Sequence, residues 1–416
     1  MLNKKQLEAY NKFKRLKVGA LFMQMGMGKT RVAIDIFNST DCSHMLVICP
    51  YSTINNFIQE LHKWKFKKDY TIIAYETIQS SDIKYLKLIK KLETIGKENL
   101  FIIADESIFI KNEETKRFKR CLTLRNLCDY ALILNGTPLT KNEWDLYNQM
   151  YFLSPLIINM NRSEFKSVFF KKINYKKRGE REKTFYKFSE VNAEYLYKLI
   201  EPYIFKSDLD FSKNEKETMN LITYYGTEYT EEKENKLNKI REQMYDSSTI
   251  INMLTSLNVI ASCYEDKNKD VAKYIKGKRI IVYCNFIKEV EQIKKIVDCY
   301  VITGETKERS LILEKFKKDN KPLLLTYGVG AYGLNMQFCD EIVYSSVNFD
   351  YGKTEQSKYR IKRIGQNNDI KYTYILTDLG ITKLIIENLK KKKSLKNLIE
   401  EKITKGEIEK WLEKNL

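Results

Sequence analysis

Val18-Gly-Ala-Leu-Phe22 runs towards Met25-Gly-Met-Gly-Lys-Thr30, and Arg31-Val-Ala-Ile-Asp35 follows at once. The apolar run predicts a strand, the two glycines a loop, and the Lys-Thr pair the first turn of a helix. In that arrangement backbone N–H groups converge on the phosphates of a nucleotide. Lys29 would reach the outer phosphates as a point charge and Thr30 would place its hydroxyl on Mg²⁺, with Met25, Gly26, Met27 and Gly28 lining the cradle. The strict phosphate-loop pattern has a glycine where Met23 stands. The bland alternative is a glycine turn between a core strand and a helix.

The same alternation of short apolar runs and amphipathic stretches fills the first third of the chain. Met45–Cys49, Thr71–Ala74, Leu100–Ala104 and Ala131–Leu134 read as further strands. Such alternation predicts a parallel sheet covered by helices, an α/β fold. A second alternation starts at Lys278, with strands expected at Arg279–Cys284, Tyr300–Ile302, Leu323–Thr326, Glu341–Ser345 and Tyr372–Leu376. Between the two, strand-like runs are few and the sequence is polar and helical. The expected division is a first lobe over 1–158, a helical and basic insertion over 159–276, a second lobe over 277–389 and a helical tail over 390–416.

Bulk composition narrows the class. A chain of 416 residues, 43% of them hydrophobic, has room for two or three cored domains. No apolar run reaches membrane-spanning length, and Met1-Leu-Asn-Lys-Lys-Gln6 is not a secretory signal. Eight scattered cysteines fit free thiols in a reducing compartment, hence a cytoplasmic location, and two histidines argue against a histidine metal centre. The abundance of Lys, Asn, Ile and Tyr would suit an AT-biased phage or mobile-element gene acting in a host cytoplasm. The same bias is one source of the +19 net charge, and a polyanionic partner, nucleic acid first, is the other. Lys171 to Lys187 concentrates that charge: Lys176, Lys177 and Arg178 sit at its centre, with Tyr175, Phe185 and Tyr186 interleaved. It reads either as a backbone-binding surface with stacking groups or as a solvated face.

Asp105 and Glu106 directly follow the apolar run Phe101-Ile-Ile-Ala104. Adjacent carboxylates at the carboxyl end of a strand suit nucleotide hydrolysis, the first holding Mg²⁺ and the second polarising the attacking water. Asn135-Gly-Thr-Pro138 makes a rigid turn after the next strand. Near the end of the second alternation, Gln356, Arg360, Arg363 and Gln366 fall in one segment. Arg360 and Arg363 share a face if that segment is helical, and two guanidinium groups there would stabilise charge on a transferring phosphoryl group.

Together these pieces resemble helicase superfamily two, and within it the Swi/Snf-type DNA translocases. The region of Gln6 resembles the adenine-reading segment, and Cys49-Pro50 with Ser52, Asn55 and Glu60 resembles the next motif. Tyr75-Glu-Thr77, Asp105-Glu-Ser-Ile-Phe-Ile-Lys-Asn112 and Leu134-Asn-Gly-Thr-Pro-Leu139 follow in the family's order, then Gly328 to Asn335 and Gln356 to Gln366. Ser107-Ile108 stands where the family has Ala-His, Asn135 where it has threonine, Lys362 where it has histidine, and Ile204-Phe-Lys-Ser207 where an arginine pair is usual. The missing histidine implies a lost link between the hydrolytic box and its neighbours.

The resemblance implies two tandem RecA-like lobes using ATP and Mg²⁺, with Glu106, Lys29, Arg360 and Arg363 catalytic. Gln6, Gly333 and Gln356 would be further nucleotide contacts, and Ser52, Thr77, Gly333 and Asn335 would touch nucleic acid. The expected activity is nucleic-acid-stimulated ATP hydrolysis that drives movement along double-stranded DNA. A strand-separating DNA or RNA helicase is one alternative. A nucleic-acid-binding clamp or partner subunit with a degenerate ATPase is the other.

Overall fold

The computed structural model describes the whole chain except Met1 and residues 137–142, 176–182, 209–212, 243–246, 331–333, 364, 392–394 and 405. It divides into two units, Met1–Asp210 and Phe211–Leu416, each built on its own six-stranded sheet.

The first unit contains β1 (Val18–Met23), β2 (His44–Cys49), β3 (Asp69–Ala74), β4 (Leu100–Asp105) and β5 (Tyr130–Asn135). β6 (Phe170–Tyr175) and β7 (Lys183–Phe188) form a separate antiparallel pair, and β8 (Ile204–Ser207) returns to the main sheet. That sheet has the order β3-β2-β4-β5-β1-β8, all parallel. A parallel sheet covered on both faces needs strands that are apolar throughout, and all six residues of β2 are buried. Alternate residues feed opposite layers. Ala20, Phe22, Leu46, Ile48, Ile102 and Ala104 pack into one core, whereas Leu21, Met23, Met45, Val47, Ile103 and Leu132 pack into the other.

The second unit opens with β9 (Glu215–Ile222) and continues with β10 (Ile281–Cys284), β11 (Tyr300–Ile302), β12 (Leu323–Thr326), β13 (Glu341–Tyr344) and β14 (Ile370–Thr377). Its order is β11-β12-β10-β13-β14-β9, again all parallel. Both sheets are therefore parallel and helix-covered, as the alternation implied, and have the arrangement of the RecA-like lobes that the resemblance implies.

The stretch 159–276 is not a separate insertion. Its first part belongs to unit 1, where β8 pairs with β1; its second part belongs to unit 2, where β9 pairs with β14 along eight residues. The helix Ser247–Ser262 packs on the second sheet through Ile250, Leu254 and Leu257. The segment 390–416 is likewise no free tail, because Leu395, Ile399, Ile408 and Leu412 are buried in the same core. Strand pairing accounts for the first difference, and apolar residues at helical spacing inside lysine-rich sequence for the second.

One polar cluster lies inside unit 2. Lys267 and Glu289 are both 0% exposed, and Lys267 Nζ donates to Glu289 Oε1 at 2.9 Å and to the Ser345 carbonyl at 2.7 Å. Glu289 also accepts from the Ser345 and Ser346 hydroxyls at 2.6 and 2.8 Å and from Asn285 N–H at 3.0 Å. The cluster pins the chain where it leaves β10 and β13. No helix among the described residues is long and apolar enough to cross a membrane.

Candidate active site

β1 stays buried through Met23, so the chain leaves the carboxyl edge of the sheet at Gln24. Gln24 N–H donates to Ser207 O of β8 at 2.9 Å, and Met27 N–H closes a turn on Gln24 O at 3.3 Å. Gly26 and Gly28 take φ values of +83° and +78°, which glycine alone adopts cheaply. The helix Lys29–Asn38 starts there, its first N–H groups facing the loop. Lys29 Nζ donates back to Met23 O at 2.9 Å. The expected strand, glycine loop and helix are therefore formed, with Lys29 turned inward.

Gln6 holds that cradle from outside. The helix Lys4–Phe13 begins with a reciprocal cap: Gln6 N–H donates to Asn3 Oδ1 at 2.9 Å and Asn3 N–H to Gln6 Oε1 at 3.0 Å. The Gln6 amide then donates to Met27 O at 2.9 Å in a buried bond. A Cβ added at Gly28 would lie 2.5 Å from Gln6 Nε2. Gly28→Ala is therefore expected to cost about 1–2 kcal/mol through the left-handed backbone alone and to break the Gln6–Met27 bond. A lower melting temperature together with a raised KM for ATP would check it.

β4 delivers the two carboxylates to the same edge. Asp105 Oδ1 accepts from Glu106 N–H at 3.0 Å, and Tyr75 OH donates to Asp105 O at 2.9 Å from a ring stacked on Phe109. Glu106 is 8% exposed and sits at φ +51°, one of three non-glycine residues with positive φ among those described. Left-handed backbone at a non-glycine residue stores about 1–3 kcal/mol, and such strain clusters at functional sites. Burial, then the neighbouring Glu106 charge, raises the Asp105 carboxyl to about 7, with Lys29 opposing. A carboxylate whose charged form is disfavoured in this way fits a cation, whose binding would favour that charged form. Gly136, after β5, completes the edge: a Cβ there would come within 3.1 Å of Met25 Cγ and 3.8 Å of Lys29 Nζ. Thr137 and Pro138 lie outside the described residues.

Ser52 and Thr77 follow β2 and β3, neighbours in the sheet, so both reach this carboxyl edge. Tyr51 N–H donates to Glu76 Oε2 at 3.0 Å and ties the two segments together. Two features escaped the sequence reading. Tyr51 is 71% exposed beside Ser52, and the Arg31 guanidinium lies 4.1 Å over the Trp64 ring while pairing with Asp35. An aromatic side chain directly after a Cys-Pro strand end was the available signal for the first. Nothing in the spacing of Arg31 and Trp64 announced the second.

In unit 2 the helix Tyr351–Lys358 carries Gln356 but stops before the arginines. Arg360 and Arg363 lie in the following turn, so the expected shared helical face is absent. Arg360 is 3% exposed with Nη1 donating to Leu334 O at 3.4 Å. Arg363 donates to Tyr359 O at 2.6 Å and pairs with the exposed Asn335 side chain. Gly333, Lys176, Lys177 and Arg178 lie outside the described residues.

The SNF2-related domain family matches residues 9–289, and the helicase conserved C-terminal domain family matches residues 266–365. The chain belongs to the SNF2-related family. Members of that family are helicase-like ATPases, as the names of its relatives state. This SNF2-related chain is 24% identical to chromatin remodeling factor mit1 of Schizosaccharomyces pombe, over 91% of its own length and 31% of that protein. It is 22% identical to an uncharacterized ATP-dependent helicase of Mycoplasma genitalium, over 92% and 40%. It is 24% identical to the ISWI chromatin-remodeling complex ATPase ISW1 of Saccharomyces cerevisiae, over 92% and 38%. The chain thus spans between about a third and two fifths of these curated relatives. Among solved structures, the Sulfolobus solfataricus SWI2/SNF2 ATPase core in complex with dsDNA is 22% identical, with a TM-score of 0.42 over 98% of this chain and 94% of that one.

The departures from the SNF2-related motifs have local substitutes. Ser107, where the family has alanine, donates from a fully buried hydroxyl to Gln149 Oε1 at 2.6 Å, and Gln149 Nε2 donates to Asp145 O at 2.8 Å. The Asp105–Ser107 segment is therefore tied to the helix Trp144–Leu153 without a histidine. Lys362 pairs with Glu215 Oε1 at 2.5 Å and fastens the closing motif to β9. Ile204–Ser207 is β8 itself, the strand beside β1.

Proposed function

We propose that this chain is an ATP-hydrolysing motor that moves along double-stranded DNA without separating its strands. The observation that carries the reading is the meeting of Lys29, Asp105 and strained, buried Glu106 at one sheet edge, beside a left-handed glycine loop. Lys29 turns from Met23 O to the outer phosphates of ATP, and Gln6 recognises the adenine. Thr30 and Asp105 hold Mg²⁺, which when bound neutralises charge on the phosphate oxygens. Glu106 orients and deprotonates the attacking water. Arg360 and Arg363 are proposed to stabilise the charge on the transferring group, and Gln356 and Gly333 to be further nucleotide contacts. Ser52, Thr77, Gly333 and Asn335 are proposed to touch the DNA backbone. Such contacts give weak sequence dependence and strong salt dependence.

Support for ATP and DNA comes from relatives named as chromatin-remodeling ATPases and ATP-dependent helicases, and from the +19 charge. The deciding experiment measures ATP turnover with duplex DNA, single-stranded DNA and RNA across a salt series, with triplex displacement and forked-duplex unwinding run in parallel. Duplex stimulation with triplex displacement and no unwinding is expected. Turnover indifferent to every polynucleotide would overturn the motor. Chelating Mg²⁺ is expected to abolish turnover.

A further inference from the structure

We infer that Gln149 is a positioning residue for Glu106, setting the rate of hydrolysis through the hydroxyl of Ser107; this rests on the ATP-hydrolysis reading. Glu106 needs such support. Its backbone stands at φ +51°, and a left-handed residue other than glycine keeps that conformation only where its surroundings hold it there. Asp105 Oδ1 takes the Glu106 N–H at 3.0 Å, and the Phe109 N–H donates to Glu106 O at 3.0 Å. Both bonds are local and turn with the segment. A hold on the next residue comes from elsewhere in the unit: Ser107 donates to Gln149 Oε1 at 2.6 Å, both side chains being 0% exposed.

The grip has more than one point. Asp145, Asn148 and Gln149 are spaced i, i+3, i+4 on the helix Trp144–Leu153 and so share one face. Asn148 Nδ2 donates to Lys111 O at 2.6 Å, and Asp145 Oδ2 lies 3.7 Å from Lys111 Nζ. Ser107 opens the short turn Ser107–Ile110 and Lys111 follows it. One helix face therefore holds that turn at both ends. The helix is itself fixed, since the Trp144 and Tyr147 rings stack at 5.5 Å and Phe165 packs on them at 5.4 and 4.5 Å. An alanine facing a leucine here would avoid desolvating a hydroxyl and an amide, which costs free energy. What the polar pair adds is direction, because a hydrogen bond weakens steeply off its axis and an apolar contact does not. Ile108 has no polar side chain to supply that direction. A carboxylate that aligns water for attack needs a base fixed in this way.

The test uses the full chain with duplex DNA present, and follows phosphate release against ATP concentration beside the melting temperature of each variant. Gln149→Leu leaves the Ser107 hydroxyl without its acceptor. It should lower the melting temperature, lower kcat by about 10–10²-fold and keep KM for ATP within about twofold of wild type. Ser107→Ala removes the same bond from its other end and should lower kcat equally. Ser107→Ala/Gln149→Leu makes both partners apolar, so its melting temperature should return towards wild type while its kcat stays low. A kcat that recovers together with the melting temperature in the double variant shows a packing role alone and overturns the inference. An unchanged kcat in Gln149→Leu, with or without a raised KM, overturns it as well. Those outcomes come from an active wild type and leave the proposed function standing; a wild type that hydrolyses no ATP overturns the proposed function and the inference with it.

Discussion

Replacing Glu106 by glutamine is expected to lower phosphate release by about 10²–10⁴-fold, the loss typical of a positioned general base, or about 3–5 kcal/mol at the barrier. Glutamine keeps the size and hydrogen-bonding outline of the side chain, so the buried pocket and the left-handed backbone at φ +51° stay as they are. What is lost is the carboxylate that accepts a proton from water. Nucleotide affinity should be retained, because the glycine loop and Lys29 are untouched. Steady-state phosphate release and binding of a fluorescent ATP analogue separate the two effects. Undiminished turnover in Glu106→Gln would remove this residue from the chemistry and revive the degenerate-clamp alternative.

Lys267→Met is expected to destabilise the second unit by about 3–5 kcal/mol, the cost of removing one partner from a buried ion pair. The substitution leaves Glu289 with no counter-charge at 0% exposure, accepting only from Ser345, Ser346 and Asn285. Hydrogen exchange resolves the effect by unit, which a single melting curve does not. Amides of β10 and β13 should exchange about 10²–10⁴-fold faster, while β2 in the first unit keeps its rate. Lys267→Met/Glu289→Gln should recover most of the loss, since a neutral amide needs no counter-charge and can still accept hydrogen bonds. Unchanged exchange in the single variant would show that the pair does not hold these strand ends.

How far the sequence could be read follows from where apolar residues sit. All ten strands inferred from apolar runs are present, with ends within about two residues, because strands covered on both faces must be apolar throughout. The glycine loop and the Asp105-Glu106 pair were legible for the same reason: each directly ends such a run. The edge strand β9, Glu215-Lys-Glu-Thr-Met-Asn-Leu-Ile222, was not, since it is mostly exposed and owes its conformation to backbone pairing with β14. The hairpin strands were hidden in the same way by their lysines. Lys267 and Glu289 gave no sign, being charged residues 22 positions apart whose burial depends on the second sheet being assembled. The arginines were recognised as a pair, but nothing in their spacing announced that the helix would stop at Lys358.

The strand β8 has a mechanical corollary. It lies beside β1 over four rungs, Ala20–Ile204 to Met23–Ser207, and its final carbonyl takes the Gln24 N–H just before the glycine loop opens. A pull on the end of β8 would thus be borne in shear by a short zipper whose last tooth abuts the glycine loop. A tug there is felt at the Gly26–Gly28 turn through the Gln24 amide.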